Sequence, residues 1–214
     1  MKELELKATP EEEDFRGKYE SGKIGDYLLD RYFATIESFI KQANIKVKNA
    51  TAIEIGCGEG LSTERLNKLI PNNITLEASE FVDNQVKLAK KNNPGMKITK
   101  ESIYELKHKD NEFDLVFLPE VLEHLDFPDK GLEELKRITK KNGYLILGVP
   151  NEPLWRILNM GRGKYWKYLG NTPGHLNHWS SWGLVKEVEK SYGPVLVKKT
   201  PLPWTIVLAK KNEN

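Results

Sequence analysis

Three glycines and two carboxylates carry the spacing in this 214-residue chain that most suggests binding chemistry. Gly56, Gly58 and Gly60 alternate in the segment EIGCGEG (54–60), directly after the start of a β-branched, apolar run, TAIEIG (51–56). Glycines at such a place let the chain turn sharply after a strand and let a ligand lie against bare backbone. A dinucleotide fingerprint would carry Gly or Ala at position 61, where Leu61 stands, and the Gly-Lys-Ser/Thr of a Walker A loop is absent. The loop is therefore not built for a pyrophosphate. Glu54, at the strand end before the turn, suits a ligand with an ammonium group. Glu80, twenty-six residues further on, stands where a carboxylate can accept two hydrogen bonds from a ribose diol. An adenosyl amino acid without phosphates fits both groups.

A second cluster, Glu120-Val-Leu-Glu123-His124, follows an almost wholly apolar run, EFDLVFL (112–118). His124 can act as a base near neutral pH, and Glu120 stands beside it as a second candidate. Cys57 reads as a small buried packing residue rather than a nucleophile, because buried thiols are usually inert. As the only cysteine it excludes a disulfide framework and a cysteine-based zinc site. Residues 151–180 mix Trp155, Tyr165, Trp166, Tyr168 and Trp179 with Arg156, Arg162, Lys164 and Lys167. Aromatics interleaved with cations can stack a planar acceptor, bind an anionic one, or sit at a lipid interface.

These residues need a scaffold, and the hydrophobic periods supply one. Leu28, Leu29, Tyr32, Phe33, Ile36, Phe39 and Ile40 recur at three- and four-residue steps, which predicts a helix over about 25–43. Strand-like runs at 51–56, 74–79, 96–101, 112–118 and 144–150 then alternate with helical patterns at Leu66-Leu69-Ile70, Val82-Val86-Ala89 and Leu132-Leu135-Ile138. Gly143 is the expected left-handed cap of the last of these helices. Such alternation implies right-handed crossovers and a parallel sheet covered on both faces. A helix at about 181–192 precedes two runs, 194–200 and 204–211, too close for a crossover, so they should pair as an antiparallel hairpin. The fold class expected is α/β: a Rossmann-like three-layer sandwich with a seven-stranded, mostly parallel sheet and an antiparallel C-terminal hairpin strand.

Residues 1–24 read as a loose acidic arm, 25–214 as one domain, and 151–180 as a lid insertion on the acceptor side. The net charge of +2 names no partner, although residues 151–214 carry +6 and the remainder −4. No apolar run approaches the roughly 18–20 residues of a membrane span, and the charged start lacks a signal-peptide h-region. The expectation is a soluble, cytoplasmic protein.

Taken together, AIEIGCGEG, ASEFVDNQVKLAKKN and FDLVFLPEVLEHLDFPDKGLEELKRITKKNGYLILGVPN resemble the first, second and fourth-to-fifth-strand motifs of class I S-adenosylmethionine-dependent methyltransferases, over about residues 25–210. The resemblance is nearest to the broad group that includes quinone-biosynthesis enzymes. It implies S-adenosylmethionine as cofactor and S-adenosylhomocysteine as product. Gly56, Cys57, Gly58 and Gly60 would line the methionine moiety with Glu54 near its amino group. Glu80 and Phe81 would hold the ribose side, Ser102 and Ile103 the adenine, and Pro119 the sulfonium. Family members commonly carry Asp where Ser102 stands, so either Ser102 or Glu101 would meet the adenine amino group. The acceptor expected is a small molecule, anionic, aromatic or lipid-like, with nucleic acid disfavoured and no metal assigned. Two alternatives stay open. One is a metal-assisted RNA 2′-O-methyltransferase, because Glu120, Glu123 and His124 with His175 or His178 resemble the Glu-x-x-Glu-His…His set of small-RNA methyltransferases. The other is a non-catalytic, cofactor-binding partner subunit.

Overall fold

The computed structural model describes residues 22–212, so most of the expected acidic arm lies outside the described residues. The first helix, α1, spans Gly22–Ala43 and begins three residues earlier than its apolar period suggests. Then follow β1 (Ala50–Ile55), α2 (Leu61–Leu69), β2 (Ile74–Glu80), α3 (Asp83–Asn92), β3 (Ile98–Lys100) and β4 (Phe113–Pro119). A 3-10 turn at Leu122–His124 leads into α4 (Pro128–Ile138) and β5 (Thr139–Pro150). The remaining elements are α5 (Leu154–Gly161), a 3-10 turn at Trp166–Tyr168, α6 (Ser181–Ser191), β6 (Val195–Lys199) and β7 (Trp204–Lys210).

The seven strands form one sheet in the order β3-β2-β1-β4-β5-β7-β6. The first five are mutually parallel, and β7 inserts between β5 and β6, antiparallel to both. The hairpin is as its short connection requires, with its second strand on the inside. Burial explains that placement: β7 is buried along six of its seven residues, whereas β6 is at most partly covered and takes the edge.

Alternate residues of each central strand enter opposite layers. Val116 and Leu118 of β4 pack with Leu132, Leu135 and Ile138 of α4 and Leu184 and Val188 of α6. Leu115 and Phe117 pack on the other face with Phe33, Ile36 and Phe39 of α1 and Leu66 of α2. Truncating a fully buried ring such as Phe117 to Ala would cost about 3–5 kcal/mol. One local expectation fails. The helix α4 ends at Ile138, with Thr139 already extended. Gly143 is not its cap but a member of β5, and the left-handed residue is Asn142 (φ 64°). A side chain at 143 would come within 2.8 Å of Thr139 Cγ2 and 2.9 Å of the Lys140 carbonyl, which is why glycine stands there.

Candidate functional site

In a sheet of this topology the loops after β1, β2, β3, β4 and β5 all emerge at the carboxyl edge, and ligands bind where the strand order reverses, between β1 and β4. The glycine loop after β1 takes three left-handed turns, at Gly56, Gly58 and Gly60. The two outer ones are set by close approach. A Cβ on Gly56 would stand 2.5 Å from Val121 Cγ2, beyond β4, and one on Gly60 would stand 2.3 Å from Asn93 Nδ2 and 3.1 Å from the Ala89 backbone of α3. The middle one differs: a Cβ on Gly58 would meet nothing within 4 Å. The loop is thus pinned at both ends and has a bare, open centre.

Two buried acids hold that loop. Glu80, at the end of β2, accepts from the Gly58 N–H through Oε2 (2.9 Å) and from the Phe81 and Val82 N–H groups through Oε1 (2.7 and 2.9 Å). A carboxylate has about four lone-pair sites, so one direction is left for a hydroxyl. Glu54 is fully buried, with Oε1 and Oε2 each accepting at 2.5 Å from Ser62 and Thr63 at the start of α2. Burial pushes its carboxyl up to about 7, against the lowering by those two hydroxyls, and Glu80 adds to the rise. It lies behind the loop as its anchor, and a ligand ammonium would have to compete with Ser62 or Thr63 for it. Cys57 is buried, with its thiol pushed far up by burial first and then by the two glutamates. It packs with Ala78, Val86, Ala89 and Ile98. Phe81 is exposed beside Glu80.

After β3, Glu101 and Ser102 face different surroundings. The Glu101 carboxylate faces inward. It accepts from Thr99 Oγ1 and from the Lys107 N–H (2.7 Å), and stands 3.1 Å from His108 Nε2. Burial opposes its charge, but these hydrogen bonds and the nearby imidazole hold its carboxyl below the usual range. Its side chain is fully buried among these partners, where it braces the loop. Ser102 is half-buried, and its Oγ accepts from the Tyr104 N–H at 3.3 Å. Ile103 belongs to the core, packed toward Gly131.

The loop after β4 forms the other wall. Glu120 takes a left-handed conformation (φ 55°) and its N–H donates to the Gly148 carbonyl of β5 (2.8 Å). Such backbone in a non-glycine residue is costly and concentrates at sites where geometry matters. Glu123 is buried, and its carbonyl accepts from the N–H groups of Leu176 and Asn177 (2.9 and 3.0 Å). His124 Nδ1 lies 3.1 Å from the Gly174 carbonyl, and its ring meets His175 edge-on at 4.9 Å. Trp155 of α5 stacks on His175 in turn, at 22° and 6.4 Å. The segment after β5 is thereby joined directly to the loop after β4.

A methyltransferase-domain family model matches residues 53–147, the span from β1 into β5. The ubiquinone biosynthesis O-methyltransferase of Pelagibacter ubique is 30% identical over 161 residues, covering 72% of this chain and 66% of that protein. The mitochondrial enzyme of the same description from Dictyostelium discoideum is 25% identical over 180 residues, covering 78% of this chain and 56% of that protein. Among solved structures, an S-adenosylmethionine-dependent methyltransferase from Aquifex aeolicus superposes with a TM-score of 0.68 at 19% identity, over 93% of this chain and 99% of that one. The chain belongs to the class I S-adenosylmethionine-dependent methyltransferases. It spans between 32% and 66% of the length of the curated relatives it matches.

S-adenosylmethionine is the cofactor of this family, and the site's own features fit it: an uncovered glycine backbone, a carboxylate with one free acceptor direction, and no cation placed for phosphate in the loop. In this methyltransferase the five metal-alternative residues separate. Ligand atoms of Glu123, His124 and His175 lie within 4.8 Å of one another, while Glu120 falls outside that group. His178 instead stands 3.7 Å from Glu152. Ser180 caps α6, accepting from the Gly183 N–H at 3.2 Å. Glu152 is a residue that sequence reasoning passed over. It follows β5, is buried, and has its carboxyl raised by burial, beside a His178 whose imidazole is lowered by burial and by the Arg156 charge. Its signal, an acid just past a strand end, is weak in the one-dimensional text.

Proposed function

We propose that this methyltransferase transfers a methyl group from S-adenosylmethionine to a small or lipid-like acceptor by in-line displacement. The observation that carries the reading is the contact of Gly56 with Val121, which sets the open glycine backbone against the segment Glu120–His124. In this reading Gly58 leaves room for the methionine moiety, Glu80 orients the ribose, and Ser102 and Ile103 border the adenine. Pro119 borders the reacting centre. The cofactor supplies the electrophilic methyl group. The protein aligns acceptor and sulfonium and keeps water out, which for a displacement is most of the catalysis. Where the acceptor carries a proton, His124 or Glu120 takes it, with the His124 ring held through Nδ1 by the Gly174 carbonyl. Residues 151–180 serve as the acceptor-side lid, supported by the Trp155–His175–His124 ring sequence. The likeness to two ubiquinone biosynthesis O-methyltransferases favours a hydroxylated aromatic acceptor.

The test is to incubate the protein with methyl-labelled S-adenosylmethionine and fractionated cell extract. Label in lipid or metabolite pools supports the reading, and label confined to RNA overturns it. His124→Ala should lower kcat by about 100-fold without changing cofactor affinity. A second reading is favoured by the Glu123, His124 and His175 cluster alone: two imidazoles and a carboxylate suit a divalent ion that would lower the pKa of an acceptor hydroxyl. Stoichiometric metal in the purified protein, with loss of turnover on chelation, would establish it.

A further inference from the structure

The lid segment turns the usual helix inside out. In α5 the polar Asn159 is buried, while Ile157 (56% exposed) and Leu158 face solvent. Asn159 Nδ2 donates to the Gly170 carbonyl (2.9 Å) and to Thr172 Oγ1 (3.2 Å), and Trp155 Nε1 donates to the same hydroxyl (2.8 Å). This polar spine ties the following turn to α5. A Cβ on Gly170 would strike the Arg156 carbonyl at 2.2 Å, so the two pieces touch backbone to backbone. The turn itself presents Trp166 (64% exposed), Tyr168 and Leu169 (72% exposed) to water, bracketed by left-handed Tyr165 and Leu169. A bulky residue held in that conformation with its side chain exposed is not explained by packing.

Charge indicates what covers this face. Arg162, Lys164 and Lys167, between α5 and the turn and at the turn itself, are exposed, and residues 153–186 contain no acid at all. We propose that the outward face of α5 and the Trp166–Leu169 turn docks on the surface of an anionic lipid bilayer. The apolar tips would sit at the acyl boundary and the cations at the headgroups, as interfacial helices and aromatic belts do. A second copy of the chain is a poor occupant, since an isologous contact would oppose like charges. RNA is the poorer occupant: Trp166 and Tyr168 could stack bases, but they share the face with the exposed aliphatic side chains Ile157, Leu158 and Leu169, which a base stack leaves in water and an acyl boundary buries. The inference does not depend on which acceptor is methylated.

The test uses the full chain with sedimented vesicles of equal parts phosphatidylglycerol and phosphatidylcholine. Binding is expected to be about tenfold stronger than to phosphatidylcholine alone and to weaken as salt is raised. The double variant Ile157→Asp/Trp166→Ser should lose about tenfold in vesicle affinity, with its circular dichroism and its S-adenosylhomocysteine affinity unchanged. Equal sedimentation of the variant, no binding by the native chain, or retention by single-stranded RNA in preference to vesicles would each overturn the proposal. Loss of cofactor binding in the native chain would instead count against the methyltransferase reading, and leaves the vesicle result to be judged on its own.

Discussion

The glycine loop and the segment 151–180 handle their polar groups in opposite ways. Around the loop, Glu54 and Glu80 are buried acids that gather hydroxyl and backbone donors from α2 and from the start of α3, and the surface left open is bare backbone. In residues 151–180, an uncharged Asn159 is the buried organiser, and what is left open is apolar and cationic. The first arrangement leaves an open recess lined by backbone, and the second leaves an exposed apolar and cationic face.

The sharpest way to break the comparison is Gly58→Arg. The position is open but left-handed (φ 53°), so the chain should still fold at a cost of about 1–2 kcal/mol, while cofactor affinity should fall on the order of 1000-fold, measured by calorimetry. Retained affinity would mean that the open centre of the loop is not the binding slot. A further contrast lies in pH. The folded carboxyl of Glu54, at about 7, is above its ordinary value of 4.5, so the native state holds the proton more tightly than the unfolded chain. The stability contribution is therefore whole below the lower value and is lost as pH rises through the upper one, by about 3 kcal/mol. Glu54→Gln should flatten this fall in Tm across the same window, and an equally steep fall in the variant would remove Glu54 as its source.

Glu80→Ala leaves three backbone donors without their acceptor and should weaken cofactor binding by about 30-fold, with a Tm drop reporting roughly 2 kcal/mol. If only one of the two readouts moves, its binding and structural roles are separable. The smallest effect is expected at Asn159→Leu, which removes the polar spine of residues 151–180: about 1–2 kcal/mol and, if this segment is the proposed lid, an acceptor KM that rises with cofactor affinity unchanged. A cofactor defect in that variant would show the two regions to be coupled.

Much of the scaffold was legible because its elements repeat at the spacing that backbone geometry demands. The period of α1 from Leu28 to Ile40, the apolar core of β4 and the glycine triplet after β1 each say locally what they are. The cap of α4 was misplaced because Gly143 is required by crowding against Thr139 and Lys140, a contact made only when β5 forms. The helix α5 is only eight residues long and lies between Pro153 and Gly163, too short a stretch for its period to stand out, and that its polar Asn159 faces inward is set only by the packing of Gly170 and Thr172.

At the candidate site, residue types alone point to the glycine loop, Glu80 and the Glu120–His124 segment, and the fold brings these to one edge of the sheet. What only the tertiary structure decided is which neighbours each side chain spends itself on. Glu101 and Ser102 are adjacent in sequence, yet Glu101 is consumed by Thr99, Lys107 and His108 while Ser102 is left at the edge. His175 and His178 are three residues apart, yet one joins Glu123 and His124 and the other Glu152. The physical reason is that hydrogen bonds and burial depend on direction over a few ångströms, and direction is set by how β3, β4 and the lid pack on one another.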